Sequence, residues 1–165
     1  MRSRRALLPL LIAAVLAALA VQGRVHGTQG AARHSAAVQR VVDGDTVRLV
    51  GLGSVRLIGI DTPEVYGGRV ECFGPEASAF ARSVLRPGTR VRYRVGVEPR
   101  DRYGRLLAYV WLRDGRLLNA LLAERGYATA LTIPPNDEMA PRFRAAERRA
   151  RGRRLGMWRR PGCAP

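Results

Sequence analysis

Apolar and polar residues alternate along residues 37–60, and this period of two predicts β-strands. A first strand at 38–42 leads into Asp43-Gly44-Asp45, a turn sequence suited to a hairpin. Residues 46–50 and 55–60 continue the alternation, with glycines between the two stretches. This part of the chain therefore predicts a three-strand meander.

The apolar spacing changes to a helical period over residues 75–85, which share one apolar face and end at Pro87-Gly88. Two more strands are predicted over 90–97 and 105–112. Two more helices are predicted, from 117 to about 126 and from about 141 to 151. The order βββαββαα predicts an α+β fold, mainly β: a five-stranded OB-fold barrel with about three packed helices. The order alone also fits other α+β folds.

The first twenty residues differ from the rest of the chain. A basic start at Arg2, Arg4 and Arg5 precedes an apolar run that ends near Ala18-Leu19-Ala20, a pattern typical of a signal peptidase site. Residues 1–20 therefore predict a signal peptide, favoured over an uncleaved N-terminal anchor. We expect an exported protein, either secreted, periplasmic or in the cell envelope.

The remaining chain predicts one domain. Residues 21–36 are rich in glycine and alanine without periodicity, which is typical of a flexible leader. Residues 37–160 hold all the predicted elements and form the expected folded domain, and residues 161–165 are a short tail. No internal repeat is present in the sequence.

Charge adds a hint about the partner. The formal net charge is +16, and all 29 basic residues besides histidine are arginines. Such an excess favours a polyanionic partner such as nucleic acid, although a compositional bias towards arginine explains it equally well. Residues 148–160 are the densest basic stretch, suited to nonspecific phosphate contacts or to the solvated face of a terminal helix.

If the protein is exported, its two cysteines, Cys72 and Cys163, are expected to form a disulfide. An even number of cysteines in an oxidising compartment favours a disulfide, and two cysteines allow one connectivity. The alternative is a pair of unrelated free thiols.

Charged residues also interrupt the apolar strands in an ordered set of motifs: Asp43 to Thr46, Arg56 to Glu64, Phe73 to Ala77 and Asp101 to Tyr109. Each motif alone has a structural explanation, such as a turn or a polar hairpin tip. Together, in this order and spacing, they resemble the staphylococcal nuclease (thermonuclease) family, from about Val38 to Trp158. The resemblance implies a Ca²⁺-dependent endonuclease that hydrolyses phosphodiester bonds of DNA and RNA and leaves 3′-phosphate ends.

The resemblance implies one Ca²⁺ ion, held by the carboxylates of Asp45 and Asp61 and the backbone carbonyl of Thr62. Calcium prefers such hard oxygen ligands. Glu64 matches the family's general base, which either takes a proton from the attacking water or positions that water.

Most of the remaining matched residues are expected to bind phosphate groups of the substrate. Arg56 and Arg105 match the two arginines that clamp it, because a guanidinium binds two phosphate oxygens and stays charged. Arg102 and Tyr103 match residues that contact a nucleotide phosphate. Asp43 matches an acid beside the metal and not on it. Glu76 and Asn119 are expected to be structural hydrogen-bonding residues.

Two features depart from the family pattern. Leu131 and Ile133 stand where the best-known member has two tyrosines that flank the base, so base binding is expected to be weaker or differently placed. The loop after Glu64 also differs, and Tyr66 in it is a candidate aromatic platform.

Two alternatives remain at this point. One is a catalytically inactive OB-fold module that binds nucleic acid or protein, and the other is an envelope-anchored protein that captures DNA. An inactive module need not keep the catalytic carboxylates and arginines, all of which are present here: Asp45, Arg56, Asp61, Glu64 and Arg105. We expect largely sequence-independent binding of DNA and RNA, no stable protein partner, and a monomer.

Overall fold

The computed structural model describes residues 34–65 and 70–163. The predicted signal or anchor, most of the predicted leader, the candidate platform Tyr66 and residues 164–165 lie outside the described residues. Strand β1 begins at His34, so the last three residues of the predicted leader are wrongly assigned. They belong to the barrel because residues 34–37 pair with the strand that begins at Arg90.

The strands are β1 His34–Val41, β2 Thr46–Leu49, β3 Gly53–Leu57, β4 Ile60–Asp61, β5 Arg90–Arg100, β6 Leu106–Trp111 and β7 Thr129–Ala130. The helices are α1 Gly74–Val84, α2 Leu118–Glu124 and α3 Ala140–Gly152, followed by a 3₁₀ helix over Gly156–Arg159.

Five of these strands close a barrel in the order β1-β2-β3-β6-β5. All neighbours are antiparallel except β3 and β6, which run parallel. Strands β4 and β7 form a separate two-stranded sheet. The predicted fold class, a mainly β OB-fold barrel with three packed helices, is confirmed.

The strand predicted over 55–60 is the main correction to the sequence-based elements. Strand β3 ends at Leu57, the chain turns at Gly59 with φ 81°, and β4 then pairs with β7. A side chain at position 59 would collide with the ring of Phe143, and an L-residue rarely adopts this φ. The apolar pattern continues through this turn because Leu57, Ile58 and Ile60 are all buried, so periodicity alone does not reveal the break.

Asn119 of α2 connects two barrel segments beside this turn through hydrogen bonds of its side chain. Its side chain is fully buried, and Nδ2 donates to the carbonyl oxygen of Ile58 at 2.8 Å while Oδ1 accepts from the N–H of Val110 at 3.0 Å. A buried amide is stable only when its polar atoms are bonded, so Asn119 has the structural role that the sequence predicts. It holds the end of β3 against β6, directly before the segment that carries Asp61.

The C-terminal segment folds back onto the domain. Met157 is buried, and Arg160 pairs with Glu76 of α1 at 2.9 Å. Cys163 is joined to Cys72 by a disulfide whose Cα atoms are 5.0 Å apart. Within the described part of the chain, no helix is long and apolar enough to cross a bilayer.

Candidate active site

Asp43 shapes the β1–β2 turn. Its Oδ1 accepts hydrogen bonds from the backbone N–H groups of Asp45 at 3.0 Å and Thr46 at 2.6 Å. An aspartate that bonds to backbone groups two and three residues ahead is typical of tight turns. The carboxylate of Asp43 thus stabilises the turn, which places Asp45 directly before the first residue of β2.

Asp45 meets the segment after β4. Its Oδ2 accepts from the backbone N–H of Thr62 at 2.8 Å and from the Thr62 hydroxyl at 3.0 Å. Gly44 permits this approach, since a Cβ there would lie 2.7 Å from Oγ1 of Thr62. These contacts bring together two motifs that are 17 residues apart in the chain.

Arg56 lies between the two carboxylates. In the β2–β3 pairing it stands opposite Thr46, so its side chain reaches Asp45. Nε lies 3.0 Å from Oδ1 of Asp45, and Nη2 lies 2.6 Å from Oδ1 of Asp61. Nη1 donates to the carbonyl oxygens of Leu57 and Ile60, both at 2.8 Å. One guanidinium therefore holds both acids and the turn between β3 and β4.

The electrostatics of this cluster follow from its burial. Burial is the main cause that raises the pKa of Asp45 to about 7; Arg56 opposes this rise, whereas Asp43 and Asp61 add to it. Burial likewise raises the pKa of Glu64, and the carboxylates of Asp43 and Asp61 raise it further. Mutual repulsion among the acids therefore favours binding of a cation at this end of the barrel.

The donor set fits a hard divalent cation. Asp45, Asp61 and the carbonyl of Thr62 offer oxygen atoms alone, which is the ligand chemistry of Ca²⁺. Among residues 34–65 and 70–163, no three acidic, histidine or cysteine side chains already form a compact metal cluster. Two of the donors are instead held by Arg56, so cation binding must compete with that guanidinium.

Arg105 belongs to a second cluster, in the β5–β6 hairpin. Nε of Arg105 lies 2.6 Å from Oδ2 of Asp101, and Oδ1 of Asp101 accepts from the backbone N–H groups of Tyr103 and Arg105. Burial raises the pKa of Asp101, but the hydrogen bonds from Arg105 and Tyr103 outweigh it and lower that pKa below its usual value. No role was predicted for Asp101 from the sequence. Its position four residues before Arg105 is the sequence feature that could have indicated this ion pair.

One cleft of about 670 Å³ is lined by Arg56 of the first cluster and by Asp101 and Arg105 of the second, so the structure brings the two arginines to a common space. Asp61 and Thr62 line a different pocket, of about 600 Å³. Nη2 of Arg102 lies 2.6 Å from the hydroxyl of Tyr103, whose ring is 67% exposed. Other lining residues are Ile58, Leu107, Leu131, Ile133 and Asn136.

Leu131 and Ile133 supply the apolar wall of the cleft. They are 37% and 61% exposed. Their segment is fixed by Asn136, whose side-chain amide exchanges two hydrogen bonds with the backbone of Glu98, at 3.1 and 2.9 Å. Aliphatic side chains thus line a cleft that also holds the phosphate-binding candidates.

A basic groove of about 690 Å³ lies between α1, α2 and the C-terminal helices. It is lined by Arg125, Arg149, Arg153 and Arg159, together with Phe80 and Tyr127, whose rings stack at 4.5 Å. Arg149 pairs with Glu124. For the other three arginines, the described part of the chain contains no ion-pair partner within 4.0 Å.

Comparison with known proteins gives consistent results. A family model described as staphylococcal nuclease homologue matches residues 54–160. The chain is 42% identical over 128 residues to a thermonuclease of Staphylococcus intermedius, across 74% of this chain and 75% of that protein. It is 36% identical over 137 residues to a thermonuclease of Staphylococcus hyicus, across 80% of each. Endonuclease YhcR of Bacillus subtilis (strain 168) is 37% identical over 134 residues, which cover 73% of this chain and 11% of that protein.

Proposed function

Because the chain belongs to the family of staphylococcal nuclease homologues and is a nuclease, we propose that it is a Ca²⁺-dependent endonuclease that leaves 3′-phosphate ends. Its substrates are phosphodiester bonds of both DNA and RNA, with little dependence on sequence. The protein acts as a monomer. The observation that carries the proposal is that Arg56 pairs with both Asp45 and Asp61 and lines the same cleft as Arg105.

Asp45, Asp61 and the carbonyl oxygen of Thr62 are the proposed ligands of one Ca²⁺ ion. When bound, the ion supplies a positive charge that polarises a phosphoryl oxygen. Asp43 does not contact the ion in this proposal; it holds the turn that presents Asp45. The buried contacts between Thr62 and Asp45 keep the donors of two separate segments together.

Glu64 accepts the proton of the attacking water. Its side chain is largely exposed, but its partial burial and the nearby carboxylates of Asp43 and Asp61 raise its pKa, which makes its carboxylate a stronger base than an ordinary glutamate. The same neighbours favour proton uptake, since the proton taken from the water removes one negative charge from an acidic cluster.

Arg56 and Arg105 bind the phosphate that is cleaved. Asp61 is about half exposed, so the Nη2 group of Arg56 can exchange its contact with Asp61 for a phosphate oxygen. Asp101 orients Arg105 through Nε, and in this proposal the Nη atoms bind the phosphate oxygens. Two guanidinium groups on one phosphate stabilise the charge that develops in the transition state. Arg102 and Tyr103 contact the neighbouring phosphate.

The proposal is tested by the metal requirement and the product ends. Purified protein is incubated with a 5′-labelled single-stranded oligonucleotide in Ca²⁺, in Mg²⁺ or in excess chelator. We expect cleavage with Ca²⁺, none with chelator, and products whose mobility changes after removal of 3′-phosphates. Products with 3′-hydroxyl ends, or cleavage in chelator, would contradict it.

We also propose that the protein is exported through its N-terminal segment. The disulfide between Cys72 and Cys163 supports this, because disulfides persist in oxidising compartments. Fractionation of cells that express the full chain, with the N-terminal mass of the product, tests it. A product that keeps residues 1–20 and stays in the cytoplasm would contradict export.

A further inference from the structure

The backbone of Glu64 is held by Glu71. The N–H of Glu64 donates to Oε2 of Glu71 at 2.9 Å, and the N–H of Glu71 donates to the carbonyl oxygen of Glu64, also at 2.9 Å. The first of these bonds has a charged acceptor, which makes it stronger than a neutral hydrogen bond. Two reciprocal bonds fix both the place and the orientation of the residue that carries the proposed base.

Helix α1 closes the other side of this segment. At Gly74, the first residue of α1, an added Cβ would lie 2.6 Å from the carbonyl oxygen of Glu64 and 2.9 Å from that of Pro63. Because real Cβ atoms do not approach so closely, glycine is needed for the helix to start against this backbone. Glu64 is therefore supported from positions 71 and 74, on both sides of Cys72.

Cys72 is itself fixed by the C-terminal segment. Its disulfide partner Cys163 follows Met157, which is buried in the domain, and Arg160, which pairs with Glu76 at 2.9 Å. The disulfide thus connects the residue next to Glu71 to a segment that is already anchored at two points.

We propose that Glu71 is a positioning residue for Glu64 and that the Cys72–Cys163 disulfide keeps it in place. The proposal rests on the proposed function, in which Glu64 handles the proton of the attacking water. Glu71 acts on the backbone of Glu64, so its contribution is the placement of the base and not substrate affinity. A displacement of about 1 Å at a catalytic group can cost about 100-fold in rate.

The test measures kcat and KM on a single-stranded DNA oligonucleotide at saturating Ca²⁺, with the full mature protein. Glu71→Ala is expected to lower kcat about tenfold and to change KM less than about twofold, because it displaces the base without altering substrate contacts. Glu71→Gln keeps an oxygen that can accept from the N–H of Glu64, and it is expected to restore most of the lost kcat.

The double variant Cys72→Ser/Cys163→Ser tests whether the disulfide keeps Glu71 in place. We expect a loss of kcat similar to that of Glu71→Ala, and little further loss when the two changes are combined, because both act through the same segment. Thermal unfolding of each variant sets an assay temperature at which all are folded.

A Glu64→Gln background separates this proposal from a general structural effect. Once the base is removed, Glu71→Ala is expected to cause no further loss of kcat. Wild-type kcat in Glu71→Ala, or an equal loss with and without the Glu64 carboxylate, overturns the positioning role. Full activity of Glu64→Gln itself overturns the proposed function, whatever Glu71→Ala shows.

Discussion

Nε of Arg56 lies 3.0 Å from Oδ1 of Asp45, and both side chains are largely withdrawn from solvent, at 13% and 5% exposure. The pair is part of the site and also part of the fold, because the other nitrogen atoms of Arg56 bind Asp61 and two backbone carbonyls. Removal of Arg56 leaves the buried carboxylate of Asp45 without its neutralising group, whereas removal of Asp45 leaves Arg56 paired with Asp61. Arg56 is therefore expected to contribute to stability as well as to the proposed catalysis.

Arg56→Ala is expected to lower the free energy of unfolding of the metal-free protein by about 3 kcal/mol at pH 8. The loss should be smaller at pH 5, because the pKa of Asp45 is already raised to about 7 and rises further without Arg56. A protonated, neutral Asp45 gains little stability from the positive charge of Arg56. Urea unfolding at both pH values measures this. Arg116→Ala is the control, since the pair of Arg116 with Asp114 is exposed and contributes little. Equal losses at the two pH values would contradict the interpretation.

The affinity for Ca²⁺ should fall as the pH falls below about 7. Burial raises the pKa of Asp45 to about 7, so the metal-free protein binds a proton on this ligand at lower pH. Protons and Ca²⁺ then compete for the same carboxylate. Calorimetric titrations at pH 6 and pH 8 are expected to show tighter binding at pH 8, with proton release at pH 6. An affinity that does not change between these pH values would show that Asp45 is not a ligand or is not protonated.

Substitution of the apolar cleft wall should change substrate affinity. Ile133→Tyr places an aromatic ring beside the cleft, and stacking contributes about 1–3 kcal/mol per base, so KM is expected to fall about fivefold or more. Because the new ring contacts the base and not the reacting phosphate, kcat should change little. Val50→Tyr is the matched control, because Val50 is similarly exposed but lies in the β2–β3 turn, outside the cleft. A fall in KM in both variants would assign the effect to general surface aromaticity.

The basic groove should contribute to binding of long nucleic acid. Arg153→Gln/Arg159→Gln, made in the Glu64→Gln background, removes two cations from the groove. If both contact phosphates, the slope of log affinity against log salt concentration for single-stranded DNA decreases in magnitude by about 1.4. Arg86→Gln/Arg113→Gln removes the same charge from exposed turns elsewhere. If the two pairs change the slope equally, the groove has no special role and only net charge matters.

Much of the barrel could be predicted from local patterns. Strands β1, β2 and β5 could be predicted from alternating apolar and polar residues, and β6 from a nearly continuous apolar run; the turn at Asp43-Gly44-Asp45 has the composition of a hairpin. The break at Gly59 could not be predicted in this way, because Phe143 of α3 creates the need for glycine there. That constraint depends on a contact between distant parts of the chain.

For the candidate site, the identities of the residues could be predicted from the sequence, but their contacts could not. Its carboxylates and arginines stand in short motifs, so their identities could be predicted from the sequence. Their partners could not: the contacts of Arg56 with the carbonyls of Leu57 and Ile60, and those of Glu71 with Glu64, depend on turns that bring the chain back on itself. Distances between motifs are set by the closed barrel and not by sequence spacing.

The role of Glu64 as the base is tested most directly by the single-turnover rate of single-stranded DNA cleavage at saturating Ca²⁺ in wild type, Glu64→Gln and Asp114→Asn. Asp114 is an exposed acid in the β6–α2 turn, so its substitution controls for the loss of one negative charge. We expect a rate at least about 100-fold lower in Glu64→Gln, because general base catalysis contributes about 10²–10⁴. The rate of Asp114→Asn should be unchanged. Equal rates in all three proteins would contradict the assignment of Glu64 as the base.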